Sequence, residues 1–225
     1  VIGQVGEHAD EAGQGRCRCG AVVLQRFAQH RPRPAGLLGL ARDQRPRVQA
    51  GCWDACLEPF NLVAGLAAKT ETIRFFPTVS MPAVHPTYAA RMISTLDQIS
   101  EGRTGLNAIT GWNKPEYSQM GLWPGESYYK DRYNLASEYM TILRELWLYG
   151  ETSFEGKYYT LTDCKCFPTP DTHIDIVSAG QSKEGLAFVE KYADYRFIIG
   201  NPNALKMLEE ENNAGNEKQY GNYLL

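Results

Sequence analysis

Residues 85–110 read HPTYAARMISTLDQISEGRTGLNAIT, and this stretch decides the fold. Its apolar residues at 89, 92, 93, 96 and 99 recur at helical spacing, and Glu101-Gly102 supplies a stop. TGLNAIT (104–110) then has the length and composition of a buried strand. Upstream, TIRFFPTVS (72–80) is short and β-rich, with Pro77 and Pro82 marking its exit. Before it, EPFNLVAGLAAKT (58–70) places apolar residues at 60, 63, 66 and 67, again at helical spacing. Downstream, a polar and aromatic loop (GWNKPEYSQMGLWPGES) leads into the longest helix, 128–150, with its stripe at 132, 136, 139, 143, 146 and 147. A hairpin over 153–161 turning at Glu155-Gly156, a buried strand at 173–180, a helix from Ser182 to Tyr192 and a strand at 193–200 complete the series.

Helix and strand thus alternate, with strands read as apolar throughout, which predicts a parallel sheet covered by helices. The class is α/β, either a (β/α)8 barrel or a doubly wound sheet. A complete barrel needs roughly 250 residues. The region from residue 53 onward supplies 173 residues and four strands besides the hairpin, so the barrel is expected to be incomplete.

The chain has 225 residues, 23 basic and 26 acidic side chains and 43% hydrophobic content, as a globular protein does. The net charge of -3 argues against a nucleic-acid partner. With neither a long apolar run nor a charged-then-apolar start, no membrane association and a cytoplasmic location are expected. The average hides a split: residues 1–52 carry +4, with eight arginines and no lysine, and residues 53–225 carry -7. Three segments follow: 1–52, basic and irregular; 53–200, a partial barrel; and 201–225, a polar tail that frays after one short helix. Residues 1–13 can close a helix. The arginine-rich part after them reads as an insert or a shifted frame rather than as a basic arm.

In parallel α/β folds, functional residues gather at the carboxyl ends of strands. Three loops qualify: 79–86, the segment from Asn107 through Thr110, Gly111 and Trp112 to Glu116, and Ser178-Ala179-Gly180-Gln181-Ser182. Small residues before a helix N-terminus let backbone N–H groups face a phosphate. Ser182 is equally an ordinary N-cap. Arg132, beside Tyr133 near the start of the long helix, offers a fork of donors matched to phosphate oxygens, or is a surface arginine. Glu116 either accepts hydrogen bonds from a ring or sugar or is a solvated loop carboxylate. The cysteine pairs 17/19, 52/56 and 164/166 miss the usual zinc spacings, and histidines 8, 30, 85 and 173 carry no partner spacing, so no metal site is expected. Nucleophile, Walker and dinucleotide motifs are missing as well. A phosphate-bearing organic cofactor in a barrel mouth remains.

The segment ISTLDQISEGRTGLNAITGWNKPEYSQMGLWPGESYYKDRY (93–133), with FEGKYYTLTDC and SAGQS, resembles the bacterial luciferase-like flavin monooxygenases. TGW-x-KPEY-x-QMG-x-WPG is similar to the branch that oxygenates pyrimidines in bacterial uracil degradation. The resemblance covers about residues 53–200. It implies a (β/α)8 barrel that binds reduced FMN at the strand carboxyl ends. A separate NAD(P)H-dependent flavin reductase supplies that FMN, O2 is the co-substrate, and uracil is opened between N3 and C4. It also implies FMN contacts at Asn107, Glu116, Arg132, Tyr133 and Ser182, while the catalytic proton carrier stays unassigned. Residues 14–52 stand where the family has a further strand and an FMN-contacting apolar-Lys pair, and the family continues well past Gly200. The expectation is therefore a truncated or partly frame-disrupted member. Alternatives are a sulfone- or sulfonate-type monooxygenase of the same superfamily, and a non-catalytic flavin-binding or non-functional fragment. Homo-oligomerisation is left open.

Overall fold

The computed structural model describes residues 57–198 and the backbone pairing of 223–224. The basic segment 1–52 and most of the tail lie outside the described residues. Helix α1 (Pro59–Ala67) begins where the Glu58 carboxylate accepts the N–H groups of Phe60 and Asn61 at 3.0 and 2.7 Å, with Pro59 in the first turn. Strand β1 (Thr78–Ser80) follows, then α2 (Pro86–Ser100), which ends at Glu101 and Gly102, both with positive φ. Strand β2 (Leu106–Ile109), the short α3 (Lys114–Ser118) and the long α4 (Glu126–Tyr149) come next. An antiparallel hairpin, β3 (Glu151–Glu155) and β4 (Thr160–Lys165), is interposed before β5 (Ile176–Ser178), α5 (Lys183–Tyr192) and β6 (Tyr195–Ile198). The hairpin turn occupies residues 156–159, one step beyond its expected place, and closes with Gly156 N–H donating to the Tyr159 carbonyl at 2.9 Å.

The main sheet has the order β1-β2-β5-β6-β7, and its four strand pairings are all parallel. Its last member, β7 (Tyr223–Leu224), adds to the edge of β6 where the tail was expected to fray. A free strand edge presents a row of unpaired backbone groups, and this two-residue pairing satisfies part of it. The result is the α/β parallel arrangement expected, of TIM-barrel type, with the barrel not closed among the described residues.

The strands are less uniformly apolar than the sequence suggests. Burial alternates along β1 and β2. Val79, Leu106 and Ala108 enter the core with α2 and α4. Thr78, Ser80, Asn107 and Ile109 occupy the alternate positions and so take the other face. The helix layer is close-packed. Ala89 and Ala90 of α2 are fully buried, and the Trp147 indole of α4 donates to the Ala90 carbonyl at 3.2 Å. Arg144 of α4 donates to the Tyr192 carbonyl at 2.8 Å, placing a cation on the C-terminal end of α5. Arg103 does the same for α1 through the Ala67 carbonyl at 3.0 Å. Cys166 is buried in this core beside Ser94. Among the described residues no helix is long and apolar enough to cross a membrane.

Candidate active site

The carboxyl end of β2 turns sharply at Gly111, whose φ is +73°; a Cβ there would sit 2.5 Å from the Tyr117 hydroxyl. Only glycine fits that turn, and it folds α3 back over the strand ends. The Tyr117 hydroxyl consequently lies 2.7 Å from Ser80 Oγ at the end of β1. The turn also carries Glu116 into the protein, where it is 6% exposed. Burial raises its carboxyl to about 7, against a smaller lowering by a hydrogen bond with Tyr117. Of the two sequence readings for Glu116, the solvated carboxylate is thereby excluded.

Asn107 lies one strand position from the core. Its Nδ2 donates to Thr78 Oγ1 at 3.0 Å, while its Oδ1 is buried without a hydrogen-bond partner. A buried acceptor left unmet costs about 1–3 kcal/mol. The Trp123 indole N–H, in the loop between α3 and α4, is also buried and unpartnered. Trp123 packs between Tyr117 and Tyr128, with ring centroids 6.3 and 6.0 Å away. Tyr128 donates to the Thr110 carbonyl, and burial holds its phenol well above the usual range, so it remains a neutral donor. Trp112, Met120 and Leu122 of the same loop are exposed.

The second group assembles around α5. Ser182 caps this helix, its Oγ accepting the Gly185 N–H at 3.1 Å. The cap uses one acceptor site of the hydroxyl, and its O–H serves the neighbouring Glu184 carboxylate. Gly180 packs so tightly that a Cβ would sit 2.3 Å from the Gly185 carbonyl oxygen, and a Cβ on Gly185 would sit 2.5 Å from the Tyr133 hydroxyl. Glycine at these two positions lets the loop after β5, the first turn of α5 and the start of α4 meet. Arg132 stacks on the rings of Tyr129 and Tyr133, at 4.1 and 4.7 Å, and donates to the Tyr129 carbonyl. Its charge helps to hold the Glu184 carboxyl below the usual range, after larger contributions from backbone and Ser182 hydrogen bonds.

Glu116 therefore sits beside Tyr117, whose hydroxyl meets Ser80, while Asn107 lies within β2 against Thr78, and Arg132, Tyr133 and Ser182 gather around the start of α5. Tyr128 of α4 joins them through Thr110, and Ser178 of β5 joins them by donating to the Ala108 carbonyl at 3.0 Å. Sequence reasoning missed Trp123 and Tyr128 and reached Ser80 only as part of the loop 79–86. The aromatic density of 111–129 was the available signal for the first two. The donor set fits a cofactor with a polar ring and a phosphate: an unmet acceptor at Asn107, a protonatable carboxyl at Glu116, a stacked guanidinium, and a glycine-lined turn before α5.

Known proteins resemble this chain in sequence and in fold. The family profile described as Luciferase-like monooxygenase matches residues 47–219. The pyrimidine monooxygenase RutA of Pseudomonas syringae pv. syringae (strain B728a) is 45% identical over 172 residues, covering 72% of this chain and 48% of the relative. RutA of Serratia proteamaculans (strain 568) is 49% identical over 148 residues, covering 66% of this chain and 40% of the relative. The chain spans about half the length, or less, of these curated relatives. Among solved structures, the EDTA monooxygenase EmoA from Chelativorans sp. BNC1 superposes with a TM-score of 0.64 at 20% identity, over 76% of this chain and 45% of that one. The oxygenating constituent of 3,6-diketocamphane monooxygenase from Pseudomonas putida, solved with FMN, gives 0.57 at 24% identity, over 76% and 51%. These two likenesses speak for the fold alone. The family match over most of the chain establishes that the protein belongs to the luciferase-like monooxygenases.

Proposed function

We propose that residues 53–200 are the flavin-binding part of a monooxygenase that uses reduced FMN and O2 to oxygenate a small organic substrate, a pyrimidine such as uracil. The observation that carries this reading is the buried, unmet Oδ1 of Asn107 within β2, the strand that leads into the buried Glu116. In the luciferase-like family such positions face a flavin. The named relatives act on pyrimidines, and that is the support for the substrate.

FMN, when bound, supplies the electrons that activate O2. The chain's own residues bind and orient it. Asn107 Oδ1 is available to accept from a ring N–H. Glu116, with its carboxyl near 7, can take either the protonated, donating form or the ionised, accepting form at neutral pH at little free-energy cost. Arg132, Tyr133 and the Ser182 hydroxyl suit the phosphate end. The Tyr117, Trp123 and Tyr128 rings pack over the end of β2 and help to exclude water from the reacting region. A separate NAD(P)H-dependent flavin reductase would supply the reduced cofactor, which fits a cytoplasmic setting.

The test is titration of the chain with reduced FMN under anaerobic conditions, followed by turnover with uracil, O2, NADH and a purified flavin reductase. Saturable FMN binding and loss of uracil are expected. Failure to bind FMN would refute the cofactor assignment. Binding with oxidation of a sulfonate but not uracil would replace the substrate, and binding without any oxidation would reduce the chain to a flavin-binding protein.

A further inference from the structure

At the opposite end of the sheet, the residues that lead into β5 and β6 bring three metal-ligating groups together. His173 and Asp175 precede β5, and Asp194 precedes β6. His173 Nε2 lies 3.1 Å from Asp194 Oδ1 and 3.8 Å from Asp175 Oδ1. One ligand atom from each residue falls within 4.8 Å of the other two. The strand register that pairs Val177 with Tyr195 sets this meeting, although 19 residues separate Asp175 from Asp194 in the chain.

Each carboxylate is held by its other oxygen. Asp194 Oδ2 accepts the Ile176 N–H at 2.8 Å. Asp175 Oδ2 accepts from the Arg74 guanidinium and, at 3.4 Å, from the Tyr195 hydroxyl. Both Oδ1 atoms are thereby turned toward the same imidazole nitrogen. Fixing ligand orientation through second partners is how proteins build metal centres. Bonds of 2.0–2.2 Å place neighbouring ligand atoms about 3 to 3.5 Å apart; the His173–Asp194 spacing already lies in that range, and the Asp175 oxygen would move inward on binding. The backbone beneath is fixed as well: Asp194 N–H donates to the Ile176 carbonyl at 2.9 Å, and the Asp175 carbonyl accepts the Leu106 N–H at 2.8 Å.

We infer that His173, Asp175 and Asp194 form a binding site for a divalent transition-metal ion at the amino end of the parallel strands. One imidazole nitrogen and two carboxylate oxygens suit zinc, cobalt, nickel or manganese, with water completing the shell. The largely exposed His173 leaves room for that water. The site lies at the amino end of the strands, and the inference does not depend on the flavin reading. A metal there ties the starts of β5 and β6 together, a structural role.

Cobalt(II) alone is the probe, added to the full chain and followed by calorimetry and visible absorption. One cobalt per chain is expected without a thiolate-to-cobalt charge-transfer band, and its affinity should fall more than about tenfold in His173→Ala and in Asp175→Asn. Cobalt should also raise the unfolding temperature of the parent chain and not that of His173→Ala. Asp194 is left intact because it also holds the Ile176 N–H. Binding that is unchanged in both variants, or that carries the thiolate band, would assign the metal to cysteines and overturn the site. No binding at all would leave an ion pair between His173 and the two aspartates, and would overturn it equally.

Discussion

Replacing Glu116 by Gln tests the burial on which the candidate site depends. The side chain is 6% exposed, and desolvation lifts its carboxyl from 4.5 to about 7. Each unit corresponds to about 1.4 kcal/mol, so the ionised form costs the folded protein up to about 3 kcal/mol. The sign follows from proton counts. Between pH 4.5 and 7 the folded chain holds a proton at Glu116 that the unfolded chain has released. Its contribution to stability is therefore fully present below 4.5, falls as pH rises through that window, and is gone above about 7. Glutamine preserves the shape and stays neutral. At pH 8 the Glu116→Gln chain should be more stable than the parent by about 1–3 kcal/mol, the upper figure applying if no water reaches the carboxylate. At pH about 4.5 the two should be nearly equal.

Urea unfolding followed by tryptophan fluorescence, at the two pH values and fixed ionic strength, measures the difference. Trp123 beside Tyr117 provides a local reporter. If parent and variant lose stability equally between the two pH values, Glu116 is not the group that titrates and its burial carries no electrostatic cost. If the variant is weaker at pH 8, the carboxylate is stabilised in place and the reasoning fails. An amide can still donate and accept, so FMN binding should survive Glu116→Gln and be lost in Glu116→Ala.

Three further substitutions probe the frame around this site. Asp97 is buried on α2, where its carboxylate accepts the Asp171 N–H at 2.8 Å and the Thr172 hydroxyl at 3.1 Å; Asp97→Ala should cost about 3 kcal/mol in thermal or urea unfolding, and Asp97→Asn should recover part of it. Gly180→Ala forces a methyl group against the Gly185 backbone and should destabilise the chain by about 1–3 kcal/mol, with a larger relative loss in FMN titration. Arg132→Lys keeps the charge but loses the planar fork stacked on Tyr129 and Tyr133, so FMN affinity by fluorescence titration should fall about tenfold or more with stability little changed.

Periodicity located the long elements because burying one stripe dominates their energetics. On α1 the expected positions 60, 63 and 67 are buried. On α2 the pattern holds at Ala89, Ile93 and Leu96 but fails at Ile99, which is 39% exposed, while Asp97 is buried. Hydrophobicity alone cannot anticipate that rotation, since Asp97 is drawn inward by the Asp171 and Thr172 donors. Helix α3 escaped notice because five residues with a proline give no measurable period. The sequence left Glu116 open between solvated and engaged because the decision lies in the Gly111 turn, whose direction is a tertiary property. His173 offered no partner at motif spacing, for its partners depend on which strands become neighbours.

The polar groups of the sheet and its loops fall into two kinds. At the amino end, charged groups find partners within the protein: Arg74 with Asp175, Asp194 with the Ile176 N–H, and Arg103 with the carbonyls of Ala67 and Ile73. Within β2 and in the loop after α3, by contrast, Asn107 Oδ1 and the Trp123 N–H are buried without partners, and in α3 burial has pushed the Glu116 carboxyl toward neutrality. Folding gains nothing from unmet groups, and each costs about 1–3 kcal/mol. An apolar side chain at position 107 would relieve the strand of that cost. A bound molecule that supplies the missing donors and acceptors recovers that cost, which favours the strands and loops around these groups as the place where one is held.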